Sequence, residues 1–306
     1  MALEWSTVGV LDGKGMFRAG MSVLDIGSSN VYSADASGIE AFVARYNSAP
    51  PAALASLATD IAQRSQVLLD GQQQNLAFFG EVLTAAGLGY ESIDIAEGYR
   101  TTVLDLNHDP LPTPFAGAFD LVLNVGTSEH VLDQVAVLRC VHDATKPGGL
   151  MFHQLPASGF ANHGYFCYTP RLFCDLAGYN RYEIVDLWFD GPSARHNLLG
   201  AVAAYRHVHP ALHAALERLS QSERGRIVEE TLVPDMAINV LMRRTSSARF
   251  LGALETSTSV GRIAPKAWDA YSSSFAQRAM LRTRAAATRR FPDLVRLARR
   301  LRSGNA

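Results

Sequence analysis

The chain runs to 306 residues, 48% hydrophobic and 19% charged, with a net charge of −1. These are ordinary values for a soluble globular protein, with length enough for one large domain or two small ones around a sizeable core. They exclude a chain that spans a membrane, since no apolar run approaches the roughly 20 residues a span needs, and Met1-Ala-Leu-Glu-Trp5 lacks the basic-then-apolar plan of a signal peptide. Cys140, Cys167 and Cys174 are odd in number and have no paired metal spacing, so they read as reduced thiols of a cytoplasmic protein.

From residue 20 to residue 190 short apolar strands alternate with helical patterns, the signature of a parallel sheet flanked by helices. Strands are predicted at Val23–Ile26, Glu91–Ile95, Thr102–Leu104, Asp120–Asn124, Leu150–Gln154 and Tyr182–Phe189, with a last one at Ala237–Arg243. The first strand carries Asp25 and runs into Gly27-Ser28-Ser29-Asn30. A turn of this kind at the carboxyl edge of a sheet is where α/β proteins present a nucleotide-like cofactor. Gly27 has no Cβ to hold a ligand away from the backbone.

Between the first two strands Ser37–Tyr46, Pro51–Arg64 and Gln72–Ala86 all read helical, with Pro50-Pro51 breaking the first from the second. A parallel crossover needs only one helix. The stretch from about 35 to 70 therefore reads as an insertion, either a lid beside the cofactor edge or added thickness on one side of the domain. A second insertion covers 191–235, with a helix over Ala211–Glu230.

Beyond Arg244 the pattern changes. From Arg243 to Ala306 there are 14 Lys and Arg against three acids, and before Arg243 there are 14 against 26. Gln277 to Arg302 is a basic helical stretch interrupted by Pro292, in which Leu294, Val295, Leu297 and Leu301 form an apolar stripe among arginines. Such a helix can lie on an anionic membrane surface, join a biosynthetic complex, or dock on the acidic body. The division that follows is a domain over 1–245 and a basic, mainly helical extension over 246–306.

Four further segments follow the Asp25/Gly27 turn. Tyr90-Glu-Ser-Ile-Asp-Ile95 is a strand ending near Asp94, and Val103-Leu-Asp-Leu-Asn-His-Asp-Pro-Leu-Pro112 follows the next one. Phe119-Asp-Leu-Val-Leu-Asn-Val-Gly126 is the fourth strand, and Lys146-Pro-Gly-Gly-Leu-Met-Phe-His-Gln154 launches the fifth. In this order the five segments resemble the class I S-adenosylmethionine (SAM) methyltransferases. The resemblance implies a Rossmann-like, seven-stranded, mostly parallel sheet with SAM as cofactor. It implies a cofactor loop at Asp25, Gly27, Ser28 and Ser29, relaxed here from the usual glycine-rich form, with Ser28 and Ser29 keeping a negative φ. It implies ribose contacts from Asp94, adenine contacts from Asp105, Leu106 and Asn107, and a methyl-transfer end at Asn124.

After the fourth strand, Ser128 is positioned to cap the next helix, with Glu129 in its first turn against the helix dipole. Glu129 also reads as an acceptor contact. His130, His153 and His163 gather on the same side of the chain's plan, and Ala161-Asn-His-Gly-Tyr-Phe-Cys-Tyr168 adds aromatic walls at Tyr165 and Tyr168. An alcohol acceptor needs a base, because its proton must leave as the new bond forms. His163 is the first candidate, His130 the second, and His153 reads as a core or edge residue. Glu129, His130 and Asp133 come closest to a metal cluster, but a helix turns the first two to successive angles, so no required metal is expected.

Competing classes fit less well. A nicotinamide dehydrogenase wants Gly-x-Gly-x-x-Gly after the first strand, and Gly27-Ser-Ser-Asn-Val-Tyr-Ser33 lacks it. A methyltransferase for nucleic-acid bases wants Asn/Asp-Pro-Pro-aromatic where this chain has Asn124-Val-Gly-Thr127, so nucleic acid is disfavoured. A catalytically silent SAM-fold subunit is the alternative from another class. The expected activity is methyl transfer to a small-molecule or glycan acceptor, with a hydroxyl favoured.

Overall fold

A computed structural model describes residues 3–66, 68–69, 72–73, 76–158, 160, 163–190 and 236–253. The helices expected over 211–230 and 277–302, and most of the basic extension, lie outside the described residues.

The chain opens with β1 (Leu3–Glu4) and α1 (Trp5–Gly13), neither of which the apolar pattern announced. The first long strand, β2 (Ser22–Ile26), is followed by β3 (Val31–Tyr32), which pairs with β1. Next comes α2 (Ala36–Tyr46), whose start is fixed by Asp35 accepting the Gly38 N–H at 2.7 Å. α3 (Leu54–Arg64) follows the double proline. The third helix is shorter than the expected Gln72–Ala86. Residues 68–69 and 72–73 form a small antiparallel ladder, β4 (Leu68–Leu69) and β5 (Gln72–Gln73), and only α4 (Phe79–Ala85) is helical. The polar run Gln72-Gln-Gln-Asn75 has no apolar stripe to seat a helix against the core. Glu81 starts α4 by accepting the Phe78 N–H at 2.9 Å, and Arg64 grips the same carboxylate with two bonds of 2.8 and 3.0 Å.

Then come β6 (Gly89–Asp94), β7 (Thr101–Val103), β8 (Phe119–Val125), α5 (Gln134–Ala144), β9 (Thr145–Ser158), α6 (Pro170–Asn180), β10 (Glu183–Asp190) and β11 (Met236–Arg243). α6 begins with Pro170 in its first turn, a placement that suits proline's fixed φ and missing N–H. Seven strands form one sheet in the order β10-β11-β9-β8-β2-β6-β7. β11 is antiparallel to both neighbours and the other pairs are parallel.

Strands covered on both faces read as near-continuous apolar runs. Val23, Leu121, Leu123 and Phe152 face a core shared with α1 to α4, and Leu24, Val122, Met151 and Leu155 face one shared with α5 and α6. Ile39, Phe42 and Val43 of α2 and Ala58 and Ile61 of α3 are buried in the first of these cores. The helices of the segment expected as a lid or as added thickness thus pack one face on this core. No helix among the described residues is long and apolar enough to cross a membrane.

Candidate active site

The strand order reverses at β2: the chain moves outward to β6 and β7, then returns to β8 on the other side. Parallel sheets bind ligands in the crevice at such a reversal, beyond the carboxyl ends of the strands. A cavity of about 300 Å³ lies there. Gly27 lines it from the end of β2 and Asp94 from the end of β6. Leu104 to Asn107 line it from beyond β7, and Gly126, Thr127, His130 and Val131 from beyond β8. A larger depression of about 620 Å³, under Arg139, Asp143 and Arg244, touches neither Gly27 nor Asp94 and shares only Leu106 with this cavity.

Gly27 has φ 110°, and a Cβ there would stand 1.8 Å from Thr127 Oγ1. The Thr127 hydroxyl donates to the Ile26 carbonyl at 2.7 Å, which closes the β2 turn onto the β8 turn. The glycine is thus demanded by a protein neighbour as well as by its conformation. Ser28 does not keep the negative φ expected of it: its φ is 36°, in the left-handed region. Its hydroxyl accepts from the Tyr99 N–H and the Thr101 hydroxyl, both at 3.2 Å, and these two donors hold the strained residue.

Asp25, Ser28, Ser29 and Asn124 do not line the cavity; they build its wall. Asp25 is fully buried and accepts the Ser29 N–H at 2.7 Å, the Ser29 hydroxyl at 2.9 Å and the Tyr90 hydroxyl at 3.0 Å. Its oxygens are spent on the turn. Burial pushes this carboxyl up to about 6, against the three hydrogen bonds that favour its charged form. Asn124 is equally buried: Oδ1 accepts the Ser128 N–H at 3.2 Å, and Nδ2 contacts the Ser128 hydroxyl at 3.1 Å and His153 Nδ1 at 3.0 Å. His153 is a core residue, as expected, and burial pushes it down to about 4.

On the β7 side the loop clips itself. Asp105 Oδ1 accepts the Asn107 N–H and Nδ2 at 2.8 and 2.9 Å, the Asp105 N–H goes to Asp109 at 2.7 Å, and Asn107 Oδ1 accepts the Asp133 N–H at 3.0 Å. The hydrogen bonds from Asn107 hold the Asp105 carboxyl below its ordinary range. Among the three residues expected at the adenine, Asp105 and Asn107 are thus engaged with each other. Asp94 accepts the Ala96 N–H at 3.1 Å.

The turn after β8 is a single 3-10 turn, Ser128–His130. Ser128 caps no helix; Asp133 starts α5 by accepting the Ala136 N–H at 2.8 Å. In that tight turn Glu129 is wholly buried, while His130 is half exposed at the cavity. The loop after β9 folds back over it. The Tyr165 N–H donates to the Glu129 carbonyl at 2.7 Å, and a Cβ on Gly164 would meet Glu129 Cγ at 2.7 Å. His163 Nε2 stands 3.3 Å from Glu129 Oε1, His130 Nε2 stands 3.9 Å from the same oxygen, and the two rings meet edge to face at 4.8 Å. Burial lowers His130 from the usual histidine range, opposed by the Glu129 charge and reinforced by His163. Tyr165 is exposed at the rim, whereas Tyr168 is buried, donating to Gln134 Oε1 at 2.7 Å and lying 3.1 Å from the Ser128 hydroxyl. Sequence reasoning missed Thr127 and Gly164, whose signal is contact with a residue distant in the chain.

The residues at the edge fit SAM: two glycine backbones allow close approach, a carboxylate sits one strand away, and the volume lies at the lower end of the range for ligand pockets. A Rossmann-like sheet with a cavity at its topological switch point defines an α/β protein built to hold a nucleotide-like cofactor. The chain belongs to a methyltransferase-domain family, whose model matches residues 14–196. Among curated proteins no match was found. Among solved structures, the [4+2]-cyclase SpnF is similar at 14% identity and TM-score 0.39, over 78% of this chain and 80% of that one. The phosphoethanolamine N-methyltransferase 2 of Haemonchus contortus, in complex with S-adenosyl-L-methionine, is similar at 12% identity and TM-score 0.38, over 79% of this chain and 52% of that one. The YcgJ protein of Bacillus subtilis is similar at 12% identity and TM-score 0.39, over 78% and 97%.

Proposed function

We propose that this methyltransferase acts on a hydroxyl of a small-molecule or glycan acceptor, and that the hydroxyl is activated at Glu129, His130 and His163, with His163 taking its proton. In this reading Asp94 accepts the ribose hydroxyls and the Leu106 amide serves an adenine ring nitrogen, the neighbouring Asp105 and Asn107 amides being engaged within the loop. Bound there, SAM supplies a sulfonium methyl group, already electrophilic, and is left as S-adenosylhomocysteine.

The observation that carries the reading is the 3.3 Å pair between a fully buried carboxylate and the His163 ring, beside a histidine that lines the cofactor cavity. Amine and thiolate acceptors need little beyond alignment and a dry site. An alcohol must also lose a proton, and the imidazolium that results is stabilised by the adjacent Glu129 charge. The reading sets the reaction in the cytoplasm, which an odd count of three cysteines without paired metal spacing suits. It gives the basic stretch beyond residue 246 an associating role, toward a membrane surface or a biosynthetic complex.

The test is a panel of hydroxyl and amine acceptors followed by release of S-adenosylhomocysteine. His163→Ala should lower turnover on the hydroxyl acceptor by roughly 10²–10⁴-fold, with affinity for S-adenosylhomocysteine held within about threefold by calorimetry, roughly 0.7 kcal/mol. Full turnover in that variant would remove His163 from the chemistry. Release with amines alone would remove the hydroxyl.

A further inference from the structure

We propose that Glu129, His130 and His163 form a binding site for a first-row divalent cation, Zn²⁺ or Mn²⁺, at the acceptor end of the cofactor cavity. The inference rests on the reading that this cluster activates the acceptor hydroxyl. With the ion in place, His163 is a ligand, and the ion replaces its imidazole as the group that makes the hydroxyl acidic.

One carboxylate oxygen and one nitrogen from each ring all lie within 4.8 Å of one another. Carboxylate and imidazole ligands stand roughly 2.0–2.2 Å from such an ion. Around a single centre that places ligand atoms about 3.0–3.5 Å apart, and the Glu129–His163 separation of 3.3 Å already matches. The Glu129–His130 separation of 3.9 Å closes with a shift of the half-exposed His130 ring. Two imidazoles and one carboxylate suit first-row cations better than Mg²⁺ or Ca²⁺, which prefer oxygen.

Three protein ligands leave positions open, which is how a catalytic metal site differs from a structural one. The open side is supplied by the fold, because His130 lines the cofactor cavity. Rigidity is supplied by the two loops. The 3-10 turn brings Glu129 and His130 together where a helix would have splayed them, and the bond from the Tyr165 N–H to the Glu129 carbonyl holds His163 opposite. Gly164 lets that second loop lie directly on Glu129. An acceptor hydroxyl binding at an open position would lose its proton to solvent, leaving an oxygen nucleophile for the methyl group.

The experiment uses the full chain, stripped with a chelator and desalted, and titrated calorimetrically with ZnCl₂, MnCl₂ and MgCl₂ in the presence of S-adenosylhomocysteine. One equivalent of Zn²⁺ or Mn²⁺ should bind, more tightly than Mg²⁺. Glu129→Gln and His163→Ala should each weaken it by about tenfold or more, while S-adenosylhomocysteine affinity in the same samples shows that the variants are folded. Replacing the ion with Co²⁺ should give a ligand-field absorption that His163→Ala alters. Absence of stoichiometric binding, or binding indifferent to both substitutions, overturns the proposal. If the stripped protein still methylates a hydroxyl at full rate, the ion is not the activator and the imidazole base stands. If the ion binds but only amines are methylated, the cation site stands and the hydroxyl reading falls.

Discussion

Asp25 and Asp94 lie on neighbouring strands of the same edge and do opposite work. Asp94 lines the cavity, so Asp94→Ala should weaken S-adenosylhomocysteine binding by about 1.5–3 kcal/mol through lost charged hydrogen bonds. Calorimetry showing unchanged affinity in a folded variant would move the ribose elsewhere. Asp25 is buried in the wall with its carboxyl pushed up to about 6. A raised acid favours the folded state below its ordinary value of 3.8, and that contribution is lost as pH rises through about 6. Asp25→Asn, which keeps the shape and cannot ionise, should therefore gain on the wild type as pH rises from 4 to 6, by up to about 3 kcal/mol. Urea unfolding at several pH values reads this as a change in the stability difference between the two proteins, and a difference that stays constant from pH 4 to 6 would contradict it.

At the scale of elements, the amino ends of three strands meet at one carboxylate. Asp120 at the start of β8 accepts the Ser22 N–H and hydroxyl of β2, both at 2.9 Å, and Lys146 of β9 at 3.1 Å, while Arg18 reaches its other oxygen at 2.6 Å. Burial alone would raise this group, but the bonds from Ser22 and Lys146 outweigh it and take the carboxyl down to about 2. A depressed acid stabilises the fold above its ordinary value of 3.8 and loses that contribution as pH falls through about 2. Asp120→Asn should then lower stability at pH 7 by roughly 2 kcal/mol, seen as a shifted urea midpoint. Because the junction is at the edge opposite the cavity, S-adenosylhomocysteine affinity should hold, and its loss would show that the strand ends are coupled across the sheet.

For the molecule as a whole, the balance of buried titrating groups sets its response to acid. Burial holds His142 and His153 down to about 4 each. His142 is bonded to the Tyr182 hydroxyl at 2.5 Å and the Ala248 carbonyl at 2.9 Å, and His153 to Asn124. Both are neutral in the fold and charge on unfolding, so their contribution is whole above 6.5 and is lost as pH falls toward 4. Asp25 runs the other way over part of that window, so among the deeply buried groups of the described residues two histidines oppose one acid. Stability should fall on acidification by roughly 1.4 kcal/mol per pH unit, and more steeply in Asp25→Asn. Urea midpoints that stay constant between pH 7 and 4.5 would refute the assignment of neutral histidines.

The sequence by itself determined the seven strands of the main sheet in chain order, and with them the edge at which their carboxyl ends gather. Apolar runs of strand length separated by helical periods leave a parallel sheet little choice, and such a sheet gathers the carboxyl ends of its strands. Gly27, Asp94, Asp105 to Asn107 and His130 line the cavity because they lie in or just beyond the carboxyl ends of β2, β6, β7 and β8; the family resemblance, not periodicity alone, singled out Asp94 and Asp105 to Asn107. Only the tertiary structure decided which way side chains point at those ends. Asp25, Asn124 and Tyr168 have the chemistry of ligand contacts, yet each bonds a partner from another segment, Tyr90, His153 and Gln134 in turn, and no local pattern encodes that partner; Ser29 is spent on Asp25 within the turn. The meeting of Glu129 with His163 is of the same kind. It depends on a 3-10 turn where periodicity suggested a helix, and on a glycine small enough to let one loop rest on another.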